Sequence, residues 1–163
     1  MKTMLVTLLL SASVLAESPP TVDQLVGTWQ VVSIEDTMKD GTVAPSAQFG
    51  PHPKGFLMYE ADEHVCATLV NGDRPAWEDP AKPTDAEKIA YYDTFIAYCG
   101  TFKLDRATST VTHYPSVAWF PLYVGSTQPR PFKVEGNHLI ITVTEGMADL
   151  GITKRVLVWE RAK

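Results

Sequence analysis

A small set of polar and aromatic side chains in the sequence could take part in chemistry. His113 lies in a β-branched stretch between Thr112 and Tyr114, so it shares a face with Val111. If that face points inward, a single buried histidine could orient a ligand carbonyl or act as a general base. A hydrogen-bonded core histidine without a chemical role is the alternative interpretation.

The same alternation groups other candidates with His113. Tyr98 shares a face with Gly100 and Phe102, and these residues are followed by further strand-forming sequence. If the strand faces that carry His113 and Tyr98 point inward, they would line a pocket with an apolar body and few polar groups. This is the usual composition of a small-molecule site. The candidate ligand-binding residues are Tyr59, Tyr98, His113, Trp119 and Arg130, with Gln128 a weaker candidate. Packing or closure of the sheet is the alternative role for each.

Other kinds of chemistry receive little support. The four histidines, at positions 52, 64, 113 and 138, form no His-x-His pair and no pair at helical spacing, and no serine lies in a Gly-x-Ser-x-Gly turn. The carboxylates that could be considered for glycoside hydrolysis are Glu35, Asp36, Glu145 and Asp149. They are placed at predicted strand ends or in loops, so we predict solvated roles for them. We predict no metal ion and no cofactor.

Composition excludes several classes of protein. The chain has 163 residues, with 14 Lys and Arg against 19 Asp and Glu, and no basic run. A net charge of −5 therefore disfavours a nucleic-acid binder. Two cysteines are too few for a disulfide-scaffolded mini-protein and lack the C-x-x-C spacing of a structural zinc site. The fold must depend on a hydrophobic core.

The first sixteen residues have the pattern of a secretory signal. Lys2 precedes an apolar stretch over residues 4–10, and small residues follow as far as Ala16. A buried N-terminal helix is the alternative, but Pro19 and Pro20 would end it. The apolar run is shorter than the ~20 residues that span a bilayer. We therefore predict a signal peptide at 1–16, a domain at 17–163 and an exported protein, secreted or periplasmic, without a membrane anchor.

The remaining sequence predicts strands and one helix. Strand patterns lie at 25–34, 55–59, 64–70, 98–104, 110–114, 131–134, 138–144 and 155–160. Residues 45–54 are predicted to be an irregular loop. Thr84 and Glu87 form a capping box that begins a helix running to about Ala97. This order predicts an all-β antiparallel barrel of about eight to ten strands with one inserted helix.

Alternation also predicts where the two cysteines point. On strand 64–70 the apolar face is Val65, Ala67 and Leu69, which puts Cys66 on the outside, and the same argument puts Cys99 outside on the next predicted strand. Consecutive strands of a meander are neighbours, and an exported protein meets oxidising conditions. We predict a disulfide that closes a 33-residue loop; two unpaired thiols are the alternative.

Two short motifs and the order of the other segments resemble a known family. Leu25-Val26-Gly27-Thr28-Trp29 near the N-terminus and Trp159-Glu160-Arg161 at the C-terminus look like the lipocalin arrangement, in which an arginine covers a Gly-x-Trp. The intervening segments at 55–59, 98–102, 110–113 and 124–130 resemble the bacterial and fungal lipocalin-like domain family. The resemblance implies a calycin-type barrel with a central cavity, closed at one end by Gly27, Trp29 and Arg161.

The sequence departs from the family pattern in two places. Glu63 lies at a turn position where the family tends to have glycine. Pro129 and Pro131 flank Arg130 where an unbroken strand is expected, and they remove two backbone donors on one side of the strand. We therefore predict a bulge or an open seam beside Arg130.

These observations lead to three functional hypotheses. The first, implied mainly by the resemblance, is a protein that binds a small, mainly hydrophobic molecule in the barrel cavity. The second is an isomerase or cyclase that acts on a lipophilic metabolite, with His113 as acid or base beside Tyr98 or Arg130. The third is a structural or interaction protein with a filled barrel. No nucleic-acid partner is expected, and the sequence leaves the oligomeric state open.

Overall fold

The computed structural model describes residues 19–163, most of which lie in antiparallel strands. The strands are β1 (Gly27–Met38), β2 (Val43–Pro45), β3 (Pro53–Tyr59), β4 (His64–Asn71), β5 (Phe95–Asp105), β6 (Thr110–Ala118), β7 (Gln128–Glu135), β8 (His138–Val143) and β9 (Ile152–Arg161). The helices are α1 (Val22–Leu25) and α2 (Asp85–Asp93), and 3-10 turns cover Pro121–Tyr123 and Ala148–Leu150. The predicted signal peptide lies outside the described residues. Between residues 19 and 163, no helix has the length and apolar character needed to cross a membrane.

The sheet closes into a barrel because β1 has partners on both sides. It pairs with β3 on one edge and with β9 on the other, and the strands from β3 to β9 pair in sequence order. The short β2 adds to β1 outside this ring. Eight strands therefore form a closed antiparallel barrel, and the predicted all-β barrel with one inserted helix is confirmed.

Alternation along each strand builds the core. On β4, Val65, Ala67 and Leu69 are buried, whereas Cys66 and Thr68 between them are partly exposed. This two-residue period is what a strand with one face on a core requires. The barrel interior thus collects the inward side chains of all eight strands.

The cysteines lie on the outer face and are joined. Cys66 on β4 and Cys99 on β5 are directly opposite each other in the register, and they form a disulfide. The predicted disulfide is therefore confirmed. It closes a segment that contains α2.

The indole of Trp29 is fully buried beneath the side chain of Arg161. The guanidinium of Arg161 lies 4.1 Å from the Trp29 ring centre, and it donates hydrogen bonds to the carbonyls of Val26 (2.8 Å) and Gln24 (2.9 Å). Gly27 has a φ of 126°, and a Cβ there would lie 2.6 Å from Nη1 of Arg161. Glycine is thus required where the guanidinium crosses the strand.

The first strand begins and ends later than predicted. Residues 22–25 form a helical turn in which the carbonyl of Leu25 accepts a hydrogen bond from the indole N–H of Trp29 at 2.7 Å. The strand then continues to Met38, because β9 pairs with it as far as Ile152. Part of the predicted loop is also strand, since β2 pairs with β1 and β3 begins at Pro53. These strand pairings join segments that are distant in the sequence, so no local sequence pattern indicates where the strands end.

The helix is shorter than predicted. Thr84 and Glu87 form the expected capping box, and the Thr84 hydroxyl accepts a hydrogen bond from the Glu87 amide at 3.2 Å. However, α2 ends at Asp93 rather than near Ala97, and residues 95–97 pair with β4 instead. None of the α2 residues is buried. Pairing within the barrel therefore outweighs a helical turn that would have no core contact.

The prolines of β7 leave an open seam without a bulge. Residues 128–131 pair with β6 in continuous register, whereas pairing with β8 begins only at Phe132. The Phe132 amide donates to Ser109 on the β6 side at 2.9 Å. Because amides alternate in direction, the missing donors of Pro129 and Pro131 face the unpaired β8 side. The open seam therefore lies beside Arg130, between β7 and β8. The two prolines lack backbone N–H groups only on the side where residues 128–131 have no paired strand.

Glu63 occupies a backbone conformation that favours glycine. Its φ is 68°, in the left-handed region. Two hydrogen bonds hold the turn, because the Glu63 amide donates to the Glu60 carbonyl (3.2 Å) and the Glu63 carbonyl accepts from the Phe102 amide (2.9 Å). The departure from glycine is therefore accommodated by contacts to β5.

Candidate functional site

The interior of the barrel contains a cavity of about 190 Å³. Most of its wall is apolar, with Phe49, Leu57, Leu69, Ile96, Ile141 and Leu157 among the lining residues. The polar and charged lining residues are Tyr98, His113, Gln128, Arg130, Glu145 and Arg155. The indole of Trp29 is not part of the lining. An apolar wall with a few polar groups is the composition expected of a small-molecule site.

Two tyrosines bracket the imidazole of His113. The hydroxyl of Tyr59 lies 2.7 Å from Nε2, and the hydroxyl of Tyr98 lies 2.7 Å from Nδ1. His113 is 1% exposed and Tyr59 is fully buried, whereas Tyr98 reaches the cavity wall. The three residues come from β6, β3 and β5, so the closed barrel is what brings them together.

Burial keeps all three side chains uncharged near neutral pH. Burial, together with a smaller effect of the nearby Arg130 guanidinium, lowers the pKa of His113 to about 3. Burial raises the pKa of Tyr98 to about 12 although Arg130 opposes the shift, and burial also raises the pKa of Tyr59 well above its usual value. The cluster is therefore suited to directed hydrogen bonding rather than to proton transfer.

Hydrogen-bond satisfaction assigns a direction to this cluster. Within residues 19–163 the Tyr59 hydroxyl has a single hydrogen-bond partner, Nε2 of His113. If Tyr59 did not donate its proton there, a fully buried O–H would lack an acceptor, which costs about 1–3 kcal/mol. We therefore assign the donor role to Tyr59. Neutral His113 then carries its proton on Nδ1 and donates it to the Tyr98 oxygen, so the Tyr98 O–H remains available to donate into the cavity.

Arg130 brings a positive charge to the same wall. It is 9% exposed, and it donates hydrogen bonds to the Pro129 carbonyl and to Oε1 of Gln128, each at 2.9 Å. Both acceptors are uncharged. In the described part of the chain, no carboxylate lies within 4.0 Å of the Arg130 guanidinium.

Arg155, the other buried arginine in the lining, has a carboxylate partner. Its Nε and Nη2 donate to the two carboxylate oxygens of Asp36 at 2.6 and 2.9 Å, and Nη2 also donates to the Ser46 hydroxyl at 3.0 Å. The prediction that Asp36 is solvated is therefore wrong, because its side chain lies inside the barrel with 4% exposure.

A β-bulge explains why Asp36 faces inward. The register of β1 against β9 shifts between Val31 and Ser33. Trp29 and Val31 are buried before the shift, and Ile34 and Asp36 are buried after it. A strict two-residue alternation from Trp29 would have placed Asp36 outside. The bulge thus changes which residues face the core.

The other predicted ligand contacts lie at different depths. Gln128 lines the cavity, whereas Tyr59 lies behind His113 and is absent from the lining. Trp119 is also absent from the lining, and its ring packs 5.0 Å from that of Tyr123, which does reach the cavity. Tyr123 was missed by the sequence analysis. The aromatic stretch at residues 119–123 was the available signal, but the 3-10 turn decides which ring faces inward.

Replacing His113 with glutamine should make stability less dependent on pH between 6.5 and about 4. In the unfolded chain histidine binds a proton below its usual pKa of 6.5, whereas folded His113 stays neutral until about pH 3. The unfolded state therefore binds more protons in this window, so stability falls as the pH falls. We expect the wild-type protein to lose about 1 kcal/mol per pH unit more than the variant. Urea unfolding at several pH values measures this difference.

His138→Gln is the matched control for this measurement. His138 is exposed on β8, so its environment changes little on unfolding. This variant should follow the wild-type pH dependence, and exposed carboxylates contribute equally to all three proteins. Parallel curves for wild type and His113→Gln would contradict the burial of a neutral His113.

Comparison with known proteins gives one finding of similarity. A family model described as a lipocalin-like domain matches residues 26–162. The match begins immediately before Gly27 and ends just after Arg161, so it spans the whole closed barrel. No curated protein matches the chain.

Proposed function

Because the chain belongs to the lipocalin-like domain family, we propose that its barrel binds a small, mainly apolar molecule. The observation that carries this proposal is the cavity of about 190 Å³ with its largely apolar wall. An apolar cavity of about 150 Å³ is enough to bind benzene. The space in this barrel therefore suits a molecule of roughly eight non-hydrogen atoms.

Binding is favoured over catalysis by the state of His113. An isomerase or cyclase would need a group that exchanges protons near neutral pH. Both ring nitrogens of His113 face tyrosine hydroxyls, and its pKa is lowered to about 3 by burial. His113 is therefore a weak base, and Tyr98, with a pKa of about 12, is a weak acid. These groups are better suited to orienting a ligand than to transferring a proton.

The proposal predicts a bound compound in the purified protein. Extraction with organic solvent followed by mass spectrometry should yield the same small molecule from independent preparations. The cavity wall is apolar, so a ligand acquired during expression should survive aqueous purification. A repeatedly empty extract, together with failure to bind the apolar probes named below, would reject the proposal.

A matched pair of variants tests whether such a compound lies in the cavity. Ala67 lines the cavity and Thr68 faces outward on the same strand. Ala67→Phe should fill part of the space and deplete the extracted compound, whereas Thr68→Phe should retain it. Cooperative thermal unfolding of both variants is the control for folding, because overpacking costs about 1–3 kcal/mol. Equal recovery from both variants would place the compound outside the barrel.

We further propose that the protein is exported, as the signal-like sequence at 1–16 indicates. The Cys66–Cys99 disulfide supports this, because such bonds persist mainly in oxidising compartments. N-terminal sequencing of the protein recovered from its native host tests the proposal. A mature chain that begins at residue 17 is expected, and a chain that retains residues 1–16 would contradict cleavage.

A further inference from the structure

We propose that the ligand carries a carboxylate group, which pairs with Arg130 and accepts a hydrogen bond from Tyr98, while its apolar body fills the cavity. This inference rests on the proposed function and specifies its ligand class. It follows from the charges of the cavity lining and from the direction of the hydrogen bonds at its wall.

The charge balance of the cavity is incomplete without a ligand. Arg155 is neutralised by Asp36, whereas Arg130 is buried and its hydrogen-bond acceptors among residues 19–163, Pro129 and Gln128, are uncharged. Glu145 also lines the cavity, but it is exposed and lies beyond 4.0 Å from Arg130. A buried guanidinium is costly to leave unpaired. An anionic group in the cavity would compensate this one charge.

The neighbouring groups cannot supply that anion. His113 is neutral, and burial holds the pKa of Tyr98 at about 12, so both are uncharged at neutral pH. Arg130 lies opposite Val111 in the β6–β7 register, and its side chain lines the same cavity as His113 and Tyr98. The polar part of the wall therefore has one positive charge and no negative charge adjacent to it.

Hydrogen-bond direction favours an acceptor on the ligand. With the assignment made above, in which Tyr59 donates to His113 and His113 donates to Tyr98, the Tyr98 O–H has no acceptor among the described side chains. The Arg130 guanidinium has five N–H groups, of which two donate to Pro129 and Gln128. Its remaining donors and the Tyr98 O–H offer hydrogen bonds to a carboxylate, whose oxygens accept several. Beside Arg130 an amine would meet a like charge and the Tyr98 O–H, because the lining carboxylate of Glu145 lies beyond 4.0 Å from Arg130.

Calorimetry with three probes of equal chain length tests the inference. Octanoate, 1-octanol and octylammonium have roughly the size that the cavity accommodates. At pH 7.5 we expect octanoate to bind at least tenfold more tightly than 1-octanol, and octylammonium to bind most weakly. Octanoate affinity should fall at least tenfold in Arg130→Met, while 1-octanol affinity should not decrease.

Lys133→Met is the matched control. Lys133 lies on the same strand, β7, but is exposed and bonded to Glu135 outside the barrel. This variant removes the same net charge and should bind octanoate like the wild-type protein. An equal loss in Lys133→Met would assign the preference to overall charge and would overturn the inference. The wild-type comparison of the probes stands even where Arg130→Met fails to fold.

The outcomes separate this inference from the proposed function. If 1-octanol binds as tightly as octanoate, or if the extracted compound is uncharged, the ligand class is wrong and the binding proposal stands. If none of the probes binds and the extract is empty, both are wrong. An extracted carboxylic acid together with a preference for octanoate that Arg130→Met removes would support both.

Discussion

Replacing Asp36 with asparagine is expected to lower the free energy of unfolding by about 3–5 kcal/mol. The substitution keeps the shape of the side chain but removes its charge. Arg155, 7% exposed, would then lie inside the barrel without a counter-ion, with the new amide oxygen, the hydroxyl of Ser46 and the side chain of Gln48 as neutral acceptors. A buried charge that has lost its partner carries a desolvation cost that these neutral acceptors do not offset. Urea unfolding at neutral pH measures the loss.

Glu35→Gln supplies the control, because it removes the same charge from the adjacent residue. Glu35 is exposed on the outer face of β1, so its substitution should change the free energy of unfolding by about 0.5 kcal/mol or less. The difference between the two variants isolates the effect of burial from that of net charge. Equal, small effects would contradict the buried Asp36–Arg155 pair.

The polar side of the cavity could be predicted where strands alternate regularly. Tyr98 and His113 lie on β5 and β6 at positions where the two-residue period is undisturbed, and Arg130 follows the same rule on β7. Inward orientation of each side chain is therefore a local property of its strand. These three side chains meet in one cavity because the sheet closes into a barrel. The sequence indicated that closure only through the resemblance of Gly27, Trp29 and Arg161 to the lipocalin arrangement.

The misplaced residues have two physical causes. Asp36 follows a bulge in β1, and a shift of one residue reverses every side chain beyond it. Trp119 and Tyr123 lie in or beside a 3-10 turn, where no two-residue period applies. Neither the bulge nor the turn has a signature in local composition. Strand alternation therefore did not identify Arg155 with its Asp36 partner, and it indicated Trp119 where Tyr123 lines the cavity.

The direction of hydrogen bonding in the Tyr59–His113–Tyr98 cluster could not be predicted from residue types. Tyrosine can donate or accept, and neutral histidine does one at each nitrogen. The direction is decided by which hydroxyl lacks another partner, and that depends on burial. Tyr59 is enclosed at the end of β3, whereas Tyr98 reaches the cavity. The ligand class inferred for the cavity depends on this difference between two residues of the same type.

Removal of the disulfide is expected to lower the free energy of unfolding by about 3–4 kcal/mol. Cys66 and Cys99 are separated by 33 residues, and the bond restricts that whole segment in the unfolded chain. The segment includes α2, which has no buried residue and so adds little core packing to hold it in place. The measurement is chemical unfolding of wild-type protein, Cys66→Ser, Cys99→Ser and the double variant, each with and without reductant.

The set contains its own control, because the two thiols act only as a pair. Each single variant and the double variant should lose the same free energy, and reduction should bring wild-type protein to that value while leaving the double variant unchanged. Additive losses in the single variants would show that the cysteines contribute through packing rather than through the bond.

Cys99 also adjoins Tyr98, whose partner in the β4–β5 register is Ala67, and both of these residues line the cavity. The bond therefore joins the two strands at the position where they form the cavity wall, which links the stability of the barrel to the geometry of the proposed binding site.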